Sequence, residues 1–224
     1  MARGYGDARA LILEETRKAL QVNGVANLML KEVCASLGLP ASLVNYHFGS
    51  RERLIAEATV VAYEGYVAQN LAAIDAAGDE PEARVRAWIW SQYDWTVANP
   101  GIAAILNYSS VAPGIGELLN NEFKERITAA SFENLVAIFK AVREVHLGRV
   151  TDEIPTIEMM DDKEYSTVTG IIMWVTLGFS TWAAGRHVPT SMTTDTIVRN
   201  QVIQNVVDRV IEVARAANNP RPVD

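Results

Sequence analysis

The stretch Leu30-Lys31-Glu32-Val33-Cys34-Ala35-Ser36-Leu37-Gly38-Leu39-Pro40-Ala41-Ser42-Leu43-Val44-Asn45-Tyr46-His47-Phe48 decides the fold. It reads as a helix, a tight turn and a second, shorter helix. Val33, Leu37, Leu39 and Val44 are spaced to pack the two helices against each other. Gly38 falls where the turn wants a backbone that tolerates positive φ. Pro40 suits the first turn of the second helix. With its apolar side chains turned inward, that helix presents Ala41, Ser42, Leu43, Asn45 and Tyr46 outward, while Phe48 belongs to the core. This is a helix-turn-helix pattern, although an ordinary helical hairpin would show it too.

Outward from this stretch the chain reads as helix throughout. Alternating strand patterns are absent and turn signals come at long intervals. Asp7 is placed to cap a first helix that ends at Asn23-Gly24, with Ile12, Thr16, Ala19 and Leu20 facing the core. Asn27 is placed to cap the second helix, Leu28 to Leu37. Ser50 caps a long fourth helix from Arg51 to Ala77, and Gly78-Asp79-Glu80-Pro81 breaks the chain. A fifth helix runs to Asn99-Pro100-Gly101, a sixth covers Ile102 to Val111, and a long seventh runs from Gly116 to Leu147. Residues 148–162, acidic and holding Pro155, read as a loop. An eighth helix spans 163–187 and a ninth 194–217. The fold class is therefore all-α, with about nine helices.

Tyr46-His47-Phe48-Gly49-Ser50-Arg51-Glu52-Arg53-Leu54 resembles the signature that closes the DNA-binding domain of TetR-family regulators. Residues 8–57 follow that pattern. The resemblance implies a helix-turn-helix DNA-binding domain over 1–53 and a helical effector-binding and dimerisation domain over 54–224. It places Ala41, Ser42 and Leu43 against base edges in the major groove, where small and apolar side chains favour thymine methyls over bidentate hydrogen bonds. It places Asn45, Tyr46, His47, Lys31 and Arg51 on phosphates, Arg51 together with the helix N-terminal amides. Arg3 lies on an N-terminal arm in reach of a minor groove. Two departures stand out. Leu28-Met29-Leu30 occupies the stretch where the family often opens its second helix with Thr or Ser, and Asn45 stands where Tyr is commoner.

One short reading helix covers only a few base pairs, so the resemblance implies a homodimer on a palindromic operator. The helices near 163–187 and 194–217 carry broad apolar stripes, including Ile171, Ile172, Val202, Ile203, Val206, Val207, Val210 and Ile211. Such stripes form an interface between subunits or fill the core of one. The body is rich in aromatics. Trp88, Gln92, Trp95, Asn107, Tyr108, Phe132 and Trp174 are candidates for the wall of a pocket that takes a small hydrophobic or aromatic effector; each of them also suits plain core packing. The function implied is ligand-responsive transcription regulation, with the effector releasing a repressor from its operator.

Composition narrows the alternatives. The chain has 224 residues and a net charge of −7. Residues 1–53 hold seven basic and five acidic side chains, so the acidic balance lies wholly in the remainder. A weakly basic end on an acidic body suits a protein that touches phosphates with one end only. The N-terminus lacks a signal-peptide core and no run is long enough for a membrane span, which gives a cytoplasmic expectation. Cys34 is the one cysteine, so neither a disulfide within the chain nor a cysteine-rich metal site is possible, and it reads as a small buried residue rather than a redox sensor. His47, His146 and His187 are scattered, and no metal spacing, phosphate loop or nucleophile motif appears. Glu144 and His146 read as a helical surface pair. No enzyme activity, cofactor or metal is implied, and a helical adaptor without DNA binding is the alternative.

Overall fold

The structure, a computed structural model, describes residues 8–107, 112–160, 167, 170–172, 174, 178 and 196–216. The fold is all-α, and no strand occurs among the described residues. The helices with described bounds are α1 (Ala8–Asn23), α2 (Leu30–Ser36), α3 (Ser42–Phe48), α4 (Arg51–Ala76), α5 (Pro81–Ala98), α6 (Pro100–Asn107), α7 (Pro113–Asn120), α8 (Lys124–Leu147), α9 (Ile157–Met160) and α10 (Thr196–Ala216). They form two compact units, one of residues 1–65 and 96–130, the other of 66–95 and 131–224. No helix among the described residues is long and apolar enough to cross a membrane.

The first unit is built around the three-helix head. Ile12, Cys34, Val44, Phe48 and Leu54 form its core, with Leu13, Leu30, Leu37, Leu39 and Leu43 packed around them. Phe48 and Ile12 are fully buried, and burial of such side chains stabilises by about 1.5–3 kcal/mol each. Val33 and Val44 are buried as their spacing predicts. Cys34 is buried too, and desolvation pushes its thiol up from the ordinary value.

The same unit takes in α6 and α7. At Gly101 the opening turn of α6 meets the last turn of α1 backbone to backbone: a Cβ on Gly101 would lie 2.7 Å from the Cα of Gly24, with the Leu20 carbonyl nearer still. The Gln21 side-chain amide donates to the Ala98 carbonyl at 3.1 Å beside this contact. Arg53 pairs with Glu122 at 2.6 Å and also donates to the Phe48 carbonyl. Arg126 grips Glu64 with two hydrogen bonds.

The second unit has its own core. Ile74, Val85, Trp88, Ile89, Tyr93, Ile138, Ala141, Val142, Ile172 and the α10 stripe Ile203, Val207, Val210, Ile211 and Ala214 pack together. Ion pairs fasten α10 to α5: Arg86 with Asp208 at 2.9 Å, and Arg215 with Glu82.

Several boundaries differ from the sequence expectation, each for a local reason. Helix α2 opens at Leu30 after Met29, not at Leu28. Asn27 does not cap it, because its side-chain amide donates backward to the Asn23 carbonyl at the end of α1. The expected single helix over 116–147 is two, α7 and α8. The Asn121 amide donates to the Glu117 carbonyl at 2.9 Å, and the Phe123 N–H reaches back five residues to Leu118. That closes α7 and turns Phe123 into the interior. Helix α6 opens at Pro100, two residues before its expected start. Glu144 is not on the surface but fully buried, 2.8 Å from Arg84. Most of the 163–187 segment, Tyr108 and the Arg3 arm lie outside the described residues.

Candidate nucleic-acid interface

Helix α3 is set by the turn before it. The Leu39 N–H bonds the Cys34 carbonyl at 2.9 Å and the Gly38 N–H bonds Ala35 at 3.0 Å, with Gly38 at φ 66. This is a Schellman closure, which a side chain at the glycine position would strain. Leu37 and Leu39, on either side of Gly38, anchor the turn in the head's core. Beyond α3, Ser50 Oγ accepts the Arg53 N–H at 3.1 Å and caps α4 as its sequence predicts.

With Val44 and Phe48 pinned inside, α3 turns its other side to solvent. Ala41, Ser42, Asn45 and Tyr46 are exposed, as is Lys31 on α2. Tyr46 is 81% exposed, the most open large apolar side chain among those described. Its ring meets His47 edge-on at 4.9 Å. A ring held this far into water by a short, core-anchored helix contributes little to the fold, so it is free to touch something else.

Three other predicted contact residues are less open. Leu43 is half-buried, leaning on the head's core. His47 is half-buried, and its Nε2 is shielded without a hydrogen-bond partner among the described residues. Arg51 donates from Nη2 to the Val25 carbonyl at 3.1 Å and sits 3.8 Å from Glu52. It therefore ties the start of α4 to the α1–α2 loop. Arg9, not singled out in the sequence, does similar work. Its guanidinium lies over the Phe48 ring at 4.8 Å and makes two 2.7 Å bonds to Glu57. A basic residue at the first turn of a helix, four dozen residues from its acid partner, gives no sequence signal for this.

The predicted pocket residues scatter. Trp88 is fully buried, and its Nε1 donates to Asn134 Oδ1 at 3.1 Å. Gln92 is buried and donates to the Tyr66 hydroxyl at 2.6 Å. Trp95 packs on Tyr66 with ring centroids 4.8 Å apart. These three share one face of α5 at helical spacing. Phe132 and Trp174 are instead exposed, at 49% and 80%. Asn107 belongs to the first unit, is exposed, and gives its amide to the Ala103 carbonyl of its own helix. Sequence reasoning missed Tyr66, Asn70 and Asn134. Their signal was a polar residue inside an apolar stripe, as at Asn134 in the run Ala130, Asn134, Ile138, Ala141.

No protein-family model and no curated protein matches the chain. Among solved structures the chain is similar to a protein from Pseudomonas aeruginosa PAO1 assigned, without further detail, as a transcriptional regulator. The superposition covers 97% of this chain and 96% of that one, with a TM-score of 0.54 and 15% sequence identity. The likeness is one of fold.

Proposed function

We propose that the chain is a DNA-binding transcription regulator of the TetR type, without enzymatic activity, acting in the cytoplasm. The observation that carries this reading is Tyr46, an aromatic left 81% exposed on a three-helix head at the end of a helix-turn-helix. Ala41, Ser42 and Leu43 face base edges, and Lys31, Asn45, Tyr46 and His47 hold phosphates. Arg51 contributes chiefly by fixing the α4 N-terminus, whose amides meet a phosphate. Base readout through small side chains leaves much of the specificity to DNA shape and to the spacing of two heads. The fold likeness to a protein assigned as a regulator supports the class.

The division of labour is a reading head over 1–53 and an effector-binding and dimerisation body over 54–224. Homodimerisation uses the segments near 163–187 and 194–217. The buried half of the α10 stripe fills its own subunit's core, which leaves Trp174 and Val202, the exposed large apolar side chains of these segments among the described residues, to meet a second copy. A small hydrophobic or aromatic effector shifts the population toward a form whose heads no longer match a palindromic operator. It does so only by its differential affinity for the two forms. Repression relieved by ligand is the regulatory sense this implies.

Selection of bound duplexes from a random DNA pool, with affinity then measured across a salt series, tests the reading. A palindromic consensus bound with steep salt dependence is expected. Failure to enrich any sequence would overturn it in favour of a helical adaptor.

A further inference from the structure

Asn70, Asn134 and Trp88 meet in the interior of the second unit, from α4, α8 and α5. Asn134 Oδ1 accepts two hydrogen bonds at 3.1 Å, one from Asn70 Nδ2 and one from Trp88 Nε1. The chemistry of the three groups fixes both amide orientations. An indole nitrogen only donates, so the Asn134 atom facing it is the oxygen. That same oxygen faces Asn70, so the Asn70 atom nearest it is the nitrogen. Asn70 Oδ1 is thereby turned away, and it has no hydrogen-bond partner among the described residues although Asn70 is fully buried. Flipping either amide only sets like against like.

A buried carbonyl without a donor is a costly group to retain. Here it is flanked by rings. Tyr66 lies one turn before Asn70 on the same side of α4, in contact with Trp95 and held by Gln92. Trp88 stands beside Asn134. The fully buried Glu144 on α8 is paired with Arg84 on α5, so this interior pair is already neutralised and offers no spare counter-ion to a charged guest.

We infer that Asn70 Oδ1 is the polar anchor of the effector site, and that the effector is a neutral aromatic molecule carrying one hydroxyl or N–H donor. The inference rests on the reading of the second unit as a sensing body, and deepens it. Donor-bearing rings bind because they satisfy the acceptor, whereas their methylated counterparts leave it buried and unmet.

Two matched pairs of probes test this on the full chain by titration calorimetry: indole with 1-methylindole, and 2-naphthol with 2-methoxynaphthalene. In the wild-type protein the donor member of at least one pair binds more tightly by about tenfold or more. In Asn70→Leu that preference disappears. Asn70→Ala, which removes the acceptor without adding bulk, carries the same reading if the leucine variant does not fold. Equal affinities within both pairs, a preference that survives loss of Asn70, or no binding of any probe overturns the inference. DNA selection is decided separately. A chain that selects an operator but shows no donor preference sinks this inference alone, and one that binds indole through Asn70 but selects no DNA sinks the regulator reading alone.

Discussion

Gly101 and Gly24 touch backbone to backbone, with no room at Gly101 for even one carbon. A methyl there would stand 2.7 Å from the Gly24 Cα and closer still to the Leu20 carbonyl. Both obstacles are main chain at the end of α1, so no rotamer change relieves them. Gly101→Ala must push α6 and α1 apart. We expect a loss of roughly 1–3 kcal/mol, read as a lower denaturation midpoint at unchanged denaturant slope, together with weaker DNA binding from the same unit. Wild-type stability in this variant would show that α6 is free to slide.

The regulator reading predicts that Tyr46 serves recognition and Arg51 mainly scaffolding. Tyr46→Ala removes an exposed ring and leaves thermal stability within about 0.5 kcal/mol, while operator affinity falls. Lys31→Ala behaves alike and also lowers the salt slope by about one. Arg51→Ala differs, because its guanidinium holds the Val25 carbonyl; both affinity and stability drop, the latter by about 1–2 kcal/mol. Indistinguishable melting curves for the Arg51 and Tyr46 variants would contradict this split.

Helix α4 contains Gly65 near its middle, exposed, with nothing among the described residues within 4 Å of where a Cβ would stand. Glycine in a helix interior is less favourable than alanine by roughly 0.5–1 kcal/mol. Gly65→Ala should raise the unfolding free energy by that amount in urea titrations. A decrease would mean that the position uses a backbone freedom absent from this conformation.

The Arg84–Glu144 pair is the most consequential charge contact in the second unit. Glu144 is fully buried, with Arg84 at 2.8 Å and the Thr151 N–H at 3.2 Å. Lys140 is 4.0 Å away and compensates little. Arg84→Ala strands a buried carboxylate and should cost about 3–5 kcal/mol. Arg84→Met combined with Glu144→Leu should recover most of that loss, because both desolvation penalties disappear together. Equal destabilisation by the single and double variants would mean that packing, not charge, is what the pair supplies.

The head was the legible part. Gly38, Ser50, Val33, Val44 and Phe48 act through local rules, and their spacing alone fixes turn, cap and core. What escaped depends on partners distant in sequence. Nothing in Asn27 tells whether its amide will cap the helix ahead or the one behind; the backbone after Asn23 decides that. Asn120-Asn121 interrupts an apolar pattern that continues on both sides, so α7 and α8 read as one helix although the break lay in plain view. Glu144 reads as a solvated residue until Arg84, sixty residues earlier, is known to reach it. The aromatic residues of the body do not share one environment, and composition cannot distinguish the buried Trp88 from the exposed Trp174. Asn70 and Asn134, whose polar atoms organise the interior, betray themselves only as polar residues within apolar stripes, and their partners on other helices cannot be read from the sequence.

Cys34 has a practical consequence. It is the only thiol in the chain, it is 1% exposed, and burial raises its pKa, which suppresses the reactive thiolate. The folded protein is therefore silent to maleimides and similar reagents, and a cysteine installed on the surface takes up a fluorophore or spin label against almost no background. The same thiol becomes a built-in reporter once the head opens: its labelling rate counts excursions of the three-helix core, one molecule at a time, without any engineered probe.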